Sequence, residues 1–239
     1  MQPDLSVVFP VYNEEENVPL LLDEIAAALD GKGWTYEMVA VDDGSTDRSL
    51  AVLHAAKAKY PNLRVLALEK NSGQTAALDA AWRGARGTYV VSLDADLQND
   101  PADIPPMMRK LEETGADMVI GVRVNRNDTW SRKVQSRIGN GVRNWITNDD
   151  VTDTGCSLKL AKRKAIEPVR LYTGMHRFLP TLVRHAGFKV VEMPVNHRAR
   201  KYGVSKYGVM NRAARGLMDC LAVRWMGKRM LHYTVREDE

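Results

Sequence analysis

Apolar runs and amphipathic stretches alternate along the first half of this chain. Residues 5–10 form a short apolar run, and a helical spacing follows over 15–29. A second run at 36–41 ends in Asp42-Asp43-Gly44 and leads into a helix over 49–59. A third at 63–68 precedes an Ala-rich helix over 74–84, and a fourth at 88–93 ends in Asp94-Ala95-Asp96. A fifth lies at 117–122. Continuous apolar runs of strand length, separated by helices, are what a mostly parallel sheet buried on both faces requires. The expectation is therefore an α/β fold with flanking helices. After residue 121 the pattern loosens. Helices are expected over 130–145, 177–186 and 207–225, with short strands at 157–160 and 189–195.

The chain has 239 residues, of which 44% are hydrophobic and 27% charged. That suffices for one large domain, or one domain with an appendage. Mean hydropathy is −0.34, and no stretch approaches 18 uncharged apolar residues, so no membrane span is expected. The first residues, Met1 to Asp4, lack the basic and apolar regions of a signal peptide. Two cysteines, Cys156 and Cys220, stand outside any CxxC or Cys/His spacing, which argues against a disulfide framework or structural zinc and for a reducing cytosol. Residues 1–100 carry 8 basic and 16 acidic side chains, while residues 101–239 carry 26 and 14. An acidic half and a basic half suggest separate tasks.

The acidic half places its carboxylates where chemistry would need them. In open α/β sheets the ligand crevice lies beyond the carboxyl ends of the strands, and those ends read Pro10-Val11-Tyr12-Asn13-Glu14, Asp42-Asp43-Gly44-Ser45 and Asp94-Ala95-Asp96. Two carboxylates one residue apart repel each other unless a cation sits between them. With the amide oxygen of Gln98 nearby, Asp94 and Asp96 form a hard oxygen set suited to Mg²⁺ or Mn²⁺ on a diphosphate. The competing reading makes them helix-capping aspartates ahead of Pro101. In the Asp42–Asp47 segment, Gly44 permits a sharp turn and Ser45 or Thr46 can cap the next helix; strand-end carboxylates also accept hydrogen bonds from ribose hydroxyls or a base edge.

These motifs, with Arg200-Lys201-Tyr202-Gly203-Val204-Ser205-Lys206-Tyr207 downstream, occur in an order that resembles family 2 glycosyltransferases of GT-A fold. More narrowly, the chain resembles the dolichyl-phosphate mannose synthases and the bacterial undecaprenyl-phosphate sugar transferases. Asn71-Ser72-Gly73-Gln74 and residues 121–130 are similar to the aminoarabinose-type members of the latter. The likeness runs over about residues 5–225. It implies an inverting transfer of a sugar from a GDP- or UDP-linked donor to a polyprenyl phosphate. It also implies that Pro10, Tyr12 and Glu14 hold the nucleoside base, that Val41 and Asp43 hold base and ribose, and that the Ala95 backbone touches the donor. Asp94, Asp96 and Gln98 would surround the metal. Arg123, Arg200 and Lys206 would bind the donor diphosphate and the acceptor phosphate, with Asp153 near the acceptor.

The chemistry is compatible with those roles. A lipid phosphate is already an anion, so the nucleophile needs no general base; it needs cations that bring two anions into line. The rival within the family is a hydroxyl acceptor, which does need a base; the Gln-x-x-Arg-Trp signature of processive members is only half present, in Arg224-Trp225. A nucleic-acid partner is set aside, because the positive residues follow a carboxylate-rich crevice and form no aromatic-studded sheet or recognition helix. A catalytic domain over 1–206 and a C-terminal helix and tail over 207–239 are expected. Val209, Met210, Ala213, Leu217, Leu221 and Trp225 recur at helical spacing among arginines and lysines. Such a helix can lie in anionic headgroups; packing on the core or on a second copy in a homodimer is the alternative. The expected location is the cytoplasm, peripheral on the inner face of the inner or plasma membrane.

Overall fold

A computed structural model describes residues 2–124, 130–199 and 212–231, with side chains over the same residues apart from 130–138 and 212–215. In chain order the strands are β1 Leu5–Val11, β2 Tyr36–Asp42, β3 Leu63–Ala67, β4 Tyr89–Ser92, β5 Met118–Arg123, β6 Lys159–Lys162 and β7 Val190–Val195. The helices are α1 Asn17–Leu29, α2 Ser49–Ala56, α3 Gln74–Gly84, α4 Ile104–Thr114, α5 Trp130–Thr147, α6 Arg163–Ile166, α7 Leu179–His185 and α8 Arg212–Arg229. Among the described residues the strands form one sheet in the order β3-β2-β1-β4-β6-β5-β7. All pairings are parallel except those of β6, which runs antiparallel to both β4 and β5.

The alternation of side chains along β1 divides the core in two. Leu5, Val7, Phe9 and Val11 face a cluster with Leu21 and Ile25 of α1 and Ile104 and Met107 of α4. Val8, joined by Val39 and Val41 of β2, faces Ala77 and Ala81 of α3, Leu182 of α7 and Val223 of α8. Both faces of the sheet are covered, so the strands read as unbroken apolar runs. At the edge opposite the carboxyl ends, the Glu37 carboxylate accepts from Ser6 Oγ at 2.6 Å, from the Arg86 amide at 2.7 Å and from Arg64 at 2.9 Å. Burial opposes ionisation there, but these donors outweigh it and hold Glu37 below its usual range.

Several expectations change. The helical segment over 101–114 was not foreseen: Pro101–Asp103 forms a 3-10 turn and α4 follows, with prolines in its first turn. Those positions have no intrahelical acceptor for an N–H, so proline costs nothing there. Asp100, not Asp94 or Asp96, caps this turn, its carboxylate accepting from the Ala102 amide. The helix expected over 177–186 is a 3-10 turn, Met175–Phe178, continued by α7 with Pro180 in its first turn. Ser45 and Thr46 do not cap α2; Asp47 Oδ1 accepts from the Ser49 amide at 2.9 Å instead. The short strand at 157–160 lies two residues further on, as β6. Of the helix expected over 207–225, residues 212 onward are described and continue to Arg229.

Candidate functional site

The carboxyl ends of β1, β2 and β4 lie side by side, because these strands are parallel neighbours. Their loops interlock. Asn13 adopts φ 55° and its side-chain oxygen accepts from the Thr46 amide at 2.7 Å, while its own amide donates to Ser45 Oγ at 3.0 Å. The Glu14 amide donates to Ser49 Oγ at 2.8 Å, and the Glu14 carboxylate accepts from Asn17 Nδ2 at the start of α1. Pro10 and Val41 are buried at the strand ends, and Tyr12 is half-buried just beyond.

Asp43 has a defined structural load. Its carboxylate accepts from the Ser72 amide at 2.7 Å, the Gly73 amide at 3.0 Å and Asn71 Nδ2 at 3.2 Å. Gly44 makes this approach possible: at φ 67°, a Cβ there would lie 2.5 Å from the Asn71 backbone nitrogen. The same loop then opens α3, whose first residue, Gln74, donates through Nε2 to Asp94 Oδ1 at 2.8 Å. Residues 71–74 thus tie the carboxyl end of β2 at Asp43 to Asp94 beyond β4. Gln74 was absent from the expected site residues, although its tetrapeptide was singled out.

Beyond β4 the chain turns sharply, with Leu97 at φ 61°. Asp94 is half-buried, while Ala95 and Asp96 are buried. Asp96 Oδ1 accepts from the Gln98 amide at 3.2 Å. Gln98 is pinned by its backbone, its carbonyl accepting from the Arg198 amide at 2.9 Å. Among the described residues no three His, Cys, Asp or Glu side chains converge into a ready-made metal cage. Two carboxylates one residue apart supply hard donors of the kind Mg²⁺ and Mn²⁺ take when phosphate oxygens and water complete the shell. The residues present fit such an ion.

Two strands along the same sheet edge, at the end of β5, Arg123 meets Asp153 in a two-pronged ion pair, with Nε to Oδ2 at 2.7 Å and a terminal nitrogen to Oδ1 at 2.8 Å. The Arg123 amide also donates to Asp153 Oδ2 at 3.2 Å. Residues 30 apart in sequence are therefore one unit, and the fork fixes the direction of the guanidinium. Gly155 gives it room, since a Cβ there would lie 2.8 Å from an Arg123 terminal nitrogen. Arg200 and Lys206 lie outside the described residues.

At the same sheet edge is Lys159, the first residue of β6, buried and donating to the Cys156 carbonyl. Burial pushes its ammonium below the usual lysine range. Next to it, the His176 ring meets Thr75 Oγ1 at 2.7 Å, and burial, with Lys159 and Arg177 nearby, takes its pKa down to about 3. Burial likewise pushes the Cys156 thiol up, which makes it a poor nucleophile.

A second surface stands on α5 and α8. Cys220 and Val223 face the core, but Leu217, Leu221 and Trp225 are exposed. Trp145 of α5 is 80% exposed and shares with Leu221, Arg224 and Lys228 a cleft of about 700 Å³. Arg224 fastens α8 to α5, donating to the Ile146 carbonyl at 2.7 Å. Among the described residues no helix is long and apolar enough to cross a membrane.

A mostly parallel sheet with flanking helices and carboxylates at its strand ends is the α/β architecture of GT-A type. The family model described as glycosyl transferase family 2 matches residues 6–170. The chain belongs to that family. It is similar to the dodecaprenyl-phosphate galacturonate synthase of Rhizobium johnstonii, 41% identical over 92% of this chain and 66% of that protein. It is also similar to the undecaprenyl-phosphate 4-deoxy-4-formamido-L-arabinose transferase of Edwardsiella ictaluri, 39% identical over 86% of this chain and 63% of that one. The chain thus spans somewhat under two thirds of the length of these relatives. In fold it matches glucosyl-3-phosphoglycerate synthase from Mycobacterium tuberculosis, solved with Mn²⁺ and UDP-glucose, at a TM-score of 0.67 and 19% identity, covering 93% of this chain and 79% of that one. A mannosyltransferase from Pyrobaculum calidifontis, solved with GDP-mannose and Mn²⁺, aligns at 0.64 and 20%, covering 85% and 59%.

Proposed function

We propose that this protein transfers a sugar, with inversion, from a nucleoside diphosphate to a polyprenyl phosphate at a membrane surface. The observation that carries the reading is that the Asp94/Asp96 tip of β4 and the Arg123–Asp153 fork at the end of β5 stand on one edge of the sheet, in a chain about 40% identical to two polyprenyl-phosphate sugar transferases. In this reading Pro10, Tyr12, Glu14, Val41 and Asp43 hold the nucleoside, and the Ala95 backbone lies along the donor. Asp94, Asp96 and Gln98 hold a divalent ion, Mg²⁺ or Mn²⁺, which when bound offsets the charge that develops on the departing diphosphate.

The acceptor phosphate oxygen attacks the anomeric carbon as the bond to the diphosphate breaks, and the electron pair leaves with the diphosphate. One displacement inverts the centre, and no proton needs removing from the nucleophile. Arg123, held in direction by Asp153, and Arg200 with Lys206 bring the two anions together. The catalytic unit is 1–206, and the segment from 207 serves attachment. Trp145, Leu221 and Trp225, flanked by Arg224, Lys228 and Arg229, are the composition of a surface that lies in anionic headgroups. The protein then works peripherally on the cytoplasmic face of the inner or plasma membrane.

The test offers purified protein a panel of UDP- and GDP-sugars with Mn²⁺, and either undecaprenyl phosphate in anionic vesicles or a sugar alcohol. Glycosylated undecaprenyl phosphate is expected. Product on the alcohol alone would replace the lipid acceptor by a hydroxyl acceptor. Flotation with anionic but not zwitterionic vesicles is expected as well; equal recovery from both would remove the membrane role of α8.

A further inference from the structure

Lys159 is an expensive residue to bury. Its side chain is buried, and among the described residues the one hydrogen bond of its ammonium is to the Cys156 carbonyl. A buried cation with no ion-pair partner is retained only where a nearby field compensates it. The topology supplies that field. Because β6 runs antiparallel between β4 and β5, its first residue lies at the sheet edge where those strands end, paired with Ser92 and Ile120. Asp94 lies two residues beyond Ser92 and Arg123 three beyond Ile120. Burial works against the Lys159 ammonium and outweighs its neighbours, of which Cys156, Asp94 and Asp153 favour the charged form and Arg123 opposes it.

We propose that Lys159 is a positioning residue of the donor site, resting on the function proposed above. Its ammonium balances the acidic strand tip from within the protein. The empty tip then attracts a lone cation weakly, while the site as a whole keeps the positive potential that a diphosphate needs. The consequence is a preference for metal and diphosphate together over metal alone. Gln74 orients Asp94 from one side through a hydrogen bond from its uncharged amide; Lys159 acts on it through charge.

The test compares the wild-type protein with Lys159→Met and Lys159→Arg in two calorimetric titrations, one with Mn²⁺ alone and one with UDP or GDP in saturating Mn²⁺. Removing a buried unit charge near two carboxylates should tighten Mn²⁺ alone by about tenfold and weaken the nucleotide by a similar factor. Lys159→Arg should restore both. A merely structural role would weaken both affinities together in the Met variant, and that result, or no change in either, overturns the proposal. Where the Met variant does not fold, Lys159→Gln is read by the same two titrations and the same criterion. A wild-type protein that binds neither Mn²⁺ nor nucleotide overturns the donor-site reading itself; one that binds both while the variants keep its affinities overturns Lys159 alone.

Discussion

Gly44→Ala is a small substitution with a long reach. At φ 67° an alanine occupies the left-handed region, at a cost of about 1–2 kcal/mol. Its Cβ would also fall 2.5 Å from the Asn71 nitrogen and 2.7 Å from the Lys70 carbonyl carbon, both backbone atoms that cannot swing aside. The loop must move, and the Asp43 carboxylate holds that loop through Ser72, Gly73 and Asn71. Hydrogen bonds to a charged acceptor contribute about 1.5–3 kcal/mol each, so losing one brings the total to about 2.5–5 kcal/mol. The same movement carries Gln74 away from Asp94, so nucleotide binding should fall along with stability. Urea denaturation gives the first quantity and calorimetric titration of UDP and GDP the second. A loss below about 1 kcal/mol with unchanged nucleotide affinity would refute the claim that residues 71–74 couple the two ends of the crevice.

Asp96→Ala should lower transfer by at least about 100-fold while leaving the denaturation midpoint near that of the wild type; full activity in that variant with EDTA present would reject a metal role. His176 makes folding sensitive to acid. Its ring sits at a pKa of about 3 in the folded protein against 6.5 when unfolded, so the unfolded state gains the proton first and stability falls as the pH drops below 6.5. Between pH 7 and pH 5 the loss from this group is about 2 kcal/mol, and denaturation of His176→Asn at the two pH values should show a correspondingly flatter response. An identical slope in both proteins would contradict the assignment.

Much of this was legible in the sequence. The bounds of α3 follow directly from its pattern, and the first four strands fall on the apolar runs, because strands buried on both faces are apolar throughout. What escaped has physical reasons. Ile104-Pro105-Pro106 reads as a helix breaker until the prolines are seen to occupy the first turn of α4. Four residues of β6 carry no mark of direction, so its antiparallel entry between β4 and β5 was invisible. Lys159 and Gln74 were not among the expected site residues; only the fold brings Gln74 against Asp94 and Lys159 to the sheet edge where β4 ends. The pairing of Arg123 with Asp153 had no local signal, though both residues were named singly. On α8, the residues that recur in the sequence pattern, Leu217, Leu221 and Trp225, turn out to be the exposed ones, while Cys220 and Val223 pack inward.

The central claim is that Asp94 and Asp96 hold a divalent ion against the donor diphosphate, across from the Arg123–Asp153 fork. A crystal soaked with Mn²⁺ and the nucleoside diphosphate that binds in solution, with anomalous scattering collected for manganese, tests it most directly. The account predicts an anomalous peak coordinated by Asp94 or Asp96 and by diphosphate oxygens, with the Arg123 guanidinium facing the same phosphates. A well-ordered nucleotide with no manganese between those carboxylates and the diphosphate would contradict it.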